Sequence, residues 1–175
     1  FILVTHDQTE ALTMSDRVGI MFNGMVDQVA TPEQIYNKPE TKMVAAFIGS
    51  MNFFETKYSE KSSRTITVFH KNLGSIKLLK NNIFGVENSK LTIGIRPENL
   101  KINSKNLKRS SKSFTAKIVE RSFMGGTMLY TIKLNENHNT YSISVSDIKN
   151  SPSANIGDEI SVGFEEDDIV AYYEG

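Results

Sequence analysis

After Gly49 the chain changes texture. Helical spacing gives way to nine short apolar alternations, at 52–58, 64–70, 74–79, 90–96, 113–121, 127–134, 140–145, 159–164 and 169–173, separated by glycine, asparagine and serine. Short strands at such spacing restrict this part of the chain to a small all-β barrel or a pair of them.

The first 49 residues read differently. The apolar opening with β-branched Ile2, Val4 and Thr5 fits a buried strand, and His6-Asp7-Gln8 follows before a helical pattern of Ala11, Leu12 and Met14. Asp7 is placed to cap that helix, which should end near Ser15-Asp16. A strand over 17–22 then meets Asn23-Gly24, the dipeptide that a type I′ hairpin turn favours, and returns over 25–29. Thr31-Pro-Glu-Gln34 has the form of a capping box with proline at the first helical position, and Asn37-Lys-Pro39 stops the helix it starts. From Thr41 to Ile48, the apolar positions Met43, Val44, Phe47 and Ile48 mark an amphipathic helix with Gly49 as its cap. His6 lies where a strand hands over to a helix, the place at which open α/β sheets present polar groups to ligands. Spacing alone favours a satisfied turn histidine.

Composition removes several classes. With 175 residues, 39% hydrophobic and 23% charged, the chain is ordinary globular material with room for one sizeable core or two small ones. Lysine plus arginine (20) equals aspartate plus glutamate (20), so no global charge excess points to nucleic acid or to a solvating tail. The absence of cysteine excludes disulfides and thiolate metal sites. No apolar run reaches the length of a membrane span, and no basic-then-apolar leader opens the chain.

The remaining motifs have plain structural readings. Arg96-Pro-Glu98 ends a strand, because proline cannot donate to a ladder, and reads as a salt-bridged corner. Gly125-Gly126 fits backbone geometry that glycine reaches easily. The stretch 104–113 is a lysine- and serine-rich solvated loop. Glu165-Glu-Asp-Asp168 lacks the alternating ligand spacing of a calcium loop and reads as a solvated turn. His70 and His138 have no companion at metal-ligand spacing and default to the surface, so no metal site is expected. Phe47, Phe53, Phe54, Phe114 and Tyr130 fall on strand or helix faces and read as core rather than as a ligand platform.

The residues Val4-Thr-His-Asp-Gln-x-Glu-Ala11, Ser15-Asp-Arg-Val18, Gly24, Gln28, Thr31-Pro32, Ile35-Tyr36, Pro39, Val44-Ala45, Phe47-Ile-Gly49 and Asn52 together resemble the switch-histidine region of ABC-transporter ATPases, continued into the C-terminal extension of importer subunits. The resemblance is greatest to the spermidine/putrescine type, with ferric-iron and sugar importer ATPases as near relatives. Ala30, where glycine usually precedes Thr-Pro, blurs the subfamily. Ile93-Gly-Ile-Arg-Pro-Glu98 and Phe123-Met-Gly-Gly-Thr127 resemble the regulatory, OB-like TOBE domain of that family.

The resemblance implies a mainly β chain with a short α/β N-terminal remnant. Residues 1–49 would be the C-terminal edge of a truncated P-loop NTPase (RecA-like) domain, and 50–175 an OB-like β-barrel regulatory domain. It implies that His6 is the switch histidine, contacting the γ-phosphate of ATP, with Mg²⁺ as the accompanying ion. It further implies a second ATPase subunit as a homodimer partner, transmembrane permease subunits, a solute-binding protein, and a place on the cytoplasmic face of a bacterial-type cell membrane. No Gly-x-x-x-x-Gly-Lys-Ser/Thr, Leu-Ser-Gly-Gly or apolar strand ending in Asp-Glu occurs in the sequence. The chain is therefore expected to be a fragment that by itself neither binds ATP tightly nor hydrolyses it. Two other functions fit an OB-like barrel: an isolated nucleic-acid module, which the neutral charge and the lack of basic-aromatic interleaving oppose, and a sensor of a small anion or metabolite.

Overall fold

The structure is a computed structural model that describes residues 1–87, 90–102, 111–134, 139–148 and 154–174. Most of the 104–113 stretch and His138 lie outside the described residues.

The N-terminal lobe follows its local signals. Helix α1 (Gln8–Met14) opens on Asp7, whose carboxylate accepts from the N–H groups of Thr9 at 2.7 Å and Glu10 at 3.2 Å. This satisfies two donors that the helix itself leaves free. Strands β1 (Val18–Phe22) and β2 (Met25–Ala30) form an antiparallel hairpin. Asn23 at φ 51° and Gly24 at φ 78° supply the two positive φ angles that the turn demands. Helix α2 (Pro32–Asn37) begins in a complete capping box between Thr31 and Gln34. Helix α3 (Lys42–Phe47) is capped by Thr41, whose hydroxyl also donates to Asp27 at 2.6 Å. Val18, Ile20, Ile35, Val44 and Ile48 form the core of this lobe, with Ala11 and Leu12 packed against it.

One expectation fails here. Residues 1–5 form no strand, and Phe1, Ile2 and Val4 are exposed. A strand needs a ladder partner for its backbone groups, and no described strand pairs with this segment.

The rest is β structure. Its strands are β3 (Asn52–Lys61), β4 (Thr65–His70), β5 (Gly74–Leu79), β6 (Ile83–Phe84), β7 (Lys90–Ile95), β8 (Lys101–Ile102), β9 (Ser111–Phe123), β10 (Met128–Lys133), β11 (Thr140–Val145), β12 (Glu159–Glu165) and β13 (Val170–Tyr173). They form one sheet in the order β5-β4-β3-β7-β13-β6 and another in the order β11-β10-β9-β12-β8. All pairings are antiparallel except β13 with β6. Both sheets face a common core that includes Phe54, Ile93, Ile95, Ile118, Ile143 and Phe164. At its centre the Phe54 and Tyr141 rings stack at 4.3 Å.

Asn52 ties the two sheets together. Its side-chain amide donates to the Ser142 carbonyl at 2.8 Å and accepts from the Ser142 N–H at 2.7 Å. A single side chain thus supplies a ladder rung between β3 and β11 that no backbone supplies.

His70 is buried, at 7% exposure, and not on the surface as its isolation in the sequence indicated. The period of two in β4 decides this: Ile66, Val68 and His70 share the core face while Phe69 faces out. The imidazole Nδ1 accepts from the N–H groups of Asn72 at 3.2 Å and Leu73 at 3.3 Å, which suits the neutral ring. Burial, aided by Lys71, holds its pKa below the ordinary value.

Candidate functional site at the seam between the lobes

His6 stands in an exposed bend between two anchored neighbours. On one side the Thr5 hydroxyl donates to Glu10 at 2.8 Å and accepts from the Asp7 N–H at 3.0 Å. On the other, Asp7 caps α1. The imidazole is therefore offered to solvent from a backbone pinned to the first turn of a helix. An exposed histidine on a fixed bend can donate or accept a proton, or donate a hydrogen bond to an anion.

Helix α1 is in turn fixed to the seam. Gln8, its first residue, accepts from the N–H of Gly49 at 3.1 Å. Gly49 follows α3 at φ 71°, a left-handed conformation that glycine adopts without strain. A β-carbon there would meet the Tyr36 ring at 3.1 Å and Arg96 Nη1 at 3.5 Å.

Arg96 is the centre of the seam. It is only 4% exposed. Its Nη1 donates to the carbonyls of Ala45 at 3.1 Å and Ser50 at 2.9 Å, and its Nη2 to that of Tyr36 at 2.9 Å. All three carbonyls belong to the segment before β3, so the guanidinium of the barrel grips the N-terminal lobe in a planar fork. Its centre also lies 4.2 Å from the centroid of the Tyr36 ring. The Tyr36 hydroxyl reaches back and donates to Glu98 at 2.5 Å. Burial and the Glu98 carboxylate push the Tyr36 phenol up to about 12. Burial pulls Arg96 down from its usual value, opposed by Tyr36 and Glu98.

The sequence reading of Arg96-Pro-Glu98 as a salt-bridged corner is corrected by this geometry. Arg96 bonds main-chain oxygens, and Glu98 takes its hydrogen bond from a phenol. The available signal was the arginine itself, at a strand end where proline forces the chain to leave the sheet; its partners, some 50 residues upstream, carry no mark in the sequence.

Further contacts close the seam. Tyr172 donates to the Pro39 carbonyl at 3.0 Å, Lys42 pairs with Glu174 at 3.3 Å, and the same ammonium lies 5.4 Å from the Phe53 centroid. Beside Arg96 a cleft of about 200 Å³ is lined by Tyr36, Lys38, Asn82, Asn99 and Asp167, among others.

The acidic turn after β12 is only partly solvated. Glu165 is buried and Glu166 accepts from the Lys77 N–H at 2.8 Å, while Asp167 and Asp168 are exposed. Among the described residues, no group of three or more histidine, aspartate or glutamate side chains is arranged to hold a metal. No described helix is long and apolar enough to cross a membrane.

Comparison with known proteins defines the class. Residues 93–171 match the TOBE domain family, and this span contains Arg96, Glu98 and all five strands of the second sheet. A crystal structure of the cytoplasmic molybdate-binding protein ModG superposes with a TM-score of 0.53, covering 69% of this chain and 94% of that one at 8% identity. That likeness is one of fold. The barrel is therefore of the OB-like kind found in TOBE domains.

Among relatives, the spermidine/putrescine import ATP-binding protein PotA of Haemophilus ducreyi is 37% identical over 89% of this chain and 42% of its own length. Its counterparts in Pasteurella multocida and Borreliella afzelii are 35% and 34% identical over 89% and 97% of this chain. The chain is thus similar over most of its length to spermidine/putrescine import ATP-binding proteins. It spans less than half the length of these relatives, 41–44%.

Proposed function

We propose that the chain is the regulatory, barrel-bearing part of the ATP-hydrolysing subunit of an ABC importer for polyamines. The observation that carries this reading is the combination in one chain of a TOBE domain over 93–171 with the pinned His6 bend, in a sequence 33–37% identical to several import ATP-binding proteins. Residues 1–49 are the end of the ATPase domain and 50–175 the regulatory domain, a division supported by their separate hydrophobic cores.

In the whole protein, ATP with Mg²⁺ is the group that His6 serves. ATP supplies a transferable γ-phosphoryl group, and its hydrolysis depends on positioning and charge stabilisation. The exposed imidazole on a fixed backbone fits one contact of that kind, and the 175 residues contain no phosphate-binding loop that would supply the rest. The role of His6 is to hold a hydrogen bond at the terminal phosphate oxygen, which favours developing charge there. The partners are a second copy of the ATP-binding subunit, the permease subunits and a solute-binding protein, at the cytoplasmic face of the membrane.

The names of the relatives favour polyamines over iron or sugar as cargo. A binding titration of the partner solute-binding protein tests this: saturable binding of spermidine or putrescine is expected, and binding of ferric iron or a sugar in their place contradicts it.

A further inference from the structure

The His6 bend and the barrel are far apart in sequence yet joined by a short chain of contacts. Arg96 grips both sides of Gly49, through Ala45 and Ser50, and its Nη1 stands within van der Waals contact of any β-carbon on Gly49, which would press on the Tyr36 ring at 3.1 Å. The Gly49 N–H, so held, donates to Gln8 Oε1 at 3.1 Å. Gln8 is the first residue of α1, two positions after His6, and the Asp7 cap between them is bonded to the same helical turn.

We infer that Gln8 and Arg96 are positioning residues for His6: the barrel sets where the imidazole stands by way of Gly49, and a displacement of the barrel is felt at the His6 bend. The significance for catalysis rests on the function proposed above; the relay itself does not.

The chemistry of the link makes it testable. Gln8 acts only as an acceptor, so Gln8→Glu keeps the contact while Gln8→Ala removes it. Arg96→Lys replaces a planar fork with a point charge that cannot reach three carbonyls in the same geometry.

In the 175-residue chain, amide exchange at Gly49 and the NMR signals of His6 read the relay directly. Gln8→Ala is expected to speed Gly49 exchange about five- to tenfold, in line with loss of a hydrogen bond worth about 1–1.4 kcal/mol, and to move the His6 signals. Gln8→Glu is expected to restore both. Arg96→Lys is expected to move the His6 signals although it touches nothing in α1. If Arg96→Lys does not fold, the Gln8 pair still decides the matter. The relay is overturned if Gln8→Ala leaves Gly49 exchange unchanged, or if the His6 signals move equally in Gln8→Ala and Gln8→Glu.

In the longer ATP-binding protein, Gln8→Ala is expected to lower kcat by about ten- to a hundredfold, the scale of a misplacement near 1 Å, with KM for ATP unchanged and Gln8→Glu close to the parent. Normal turnover in Gln8→Ala, beside a dead His6→Ala, overturns the positioning role and leaves the function standing. Normal turnover in His6→Ala removes the role proposed for His6, and exchange at Gly49 then judges the relay alone.

Discussion

Arg96 and Tyr36 hold each other twice: the guanidinium lies 4.2 Å from the centre of the phenol ring, and its Nη2 donates to the Tyr36 carbonyl at 2.9 Å. This pair joins a strand end of the barrel to the second helix of the N-terminal lobe. Because the guanidinium is buried, its bonds are not shared with water, and Arg96→Lys leaves carbonyls without donors. A loss of about 2–4 kcal/mol is expected, from charge-assisted bonds of about 1.5–3 kcal/mol each, partly replaced by the lysine. Urea unfolding of the two proteins measures it; a change below about 0.5 kcal/mol would show that the clasp does not matter.

Tyr36 carries a second prediction, in pH. Its phenol is raised from 10.0 to about 12, so the folded chain holds this proton more tightly than the unfolded one. The stability linked to it is fully present below pH 10 and is lost as pH rises through 12. In a spectrophotometric titration Tyr36 should ionise late with this midpoint, and Tyr172, which burial raises further, later still. Tyr36→Phe should remove that step. Glu98→Gln should only reduce the shift, because burial is its largest cause.

His70 behaves in the opposite sense. Its pKa is lowered by burial from 6.5, so the unfolded chain binds the proton first as pH falls. Stability is complete above pH 6.5 and declines below it, toward the lower folded value. His70→Asn can keep an acceptor for the N–H groups of Asn72 and Leu73 without a titrating ring. Its unfolding free energy should therefore change less between pH 7 and 5 than that of the parent, and an identical slope would contradict this account.

Asn52 tests the join between the sheets. Asn52→Ala leaves the Ser142 N–H and carbonyl without their partners in a largely buried place, at a cost of about 2–4 kcal/mol. Asn52→Asp keeps the acceptor for the N–H but sets a carboxylate against the carbonyl, so it should also be destabilised, increasingly so above the carboxylate pKa. Thermal unfolding at pH 4 and pH 8 separates the two substitutions; pH-independent behaviour of Asn52→Asp would count against the bridge.

Much of this fold was legible in the sequence, because local chemistry decided it. Asp7, Asn23-Gly24 and the Thr31 capping box each fix a backbone state within three or four residues, and each element formed as read. The nine strands of the barrel followed from period-two alternation; the two-residue β6 and β8 were missed because two residues show no period. What the sequence could not show was long-range. His70 is buried by the parity of its strand, and Arg96 is claimed by carbonyls of the other lobe, facts that depend on which surfaces meet. The candidate site divides in the same way: His6 stood out by its motif, whereas Gln8 and Gly49 gain meaning only from their 3.1 Å contact.

The most direct test of the account is ATP hydrolysis by the longer ATP-binding protein carrying His6→Ala. A fixed hydrogen-bond donor at the γ-phosphate acts on the transition state more than on binding. Hydrolysis should fall by on the order of 10²-fold or more, while the affinity for ATP stays nearly that of the parent. Turnover at the parental rate would contradict the role assigned to His6.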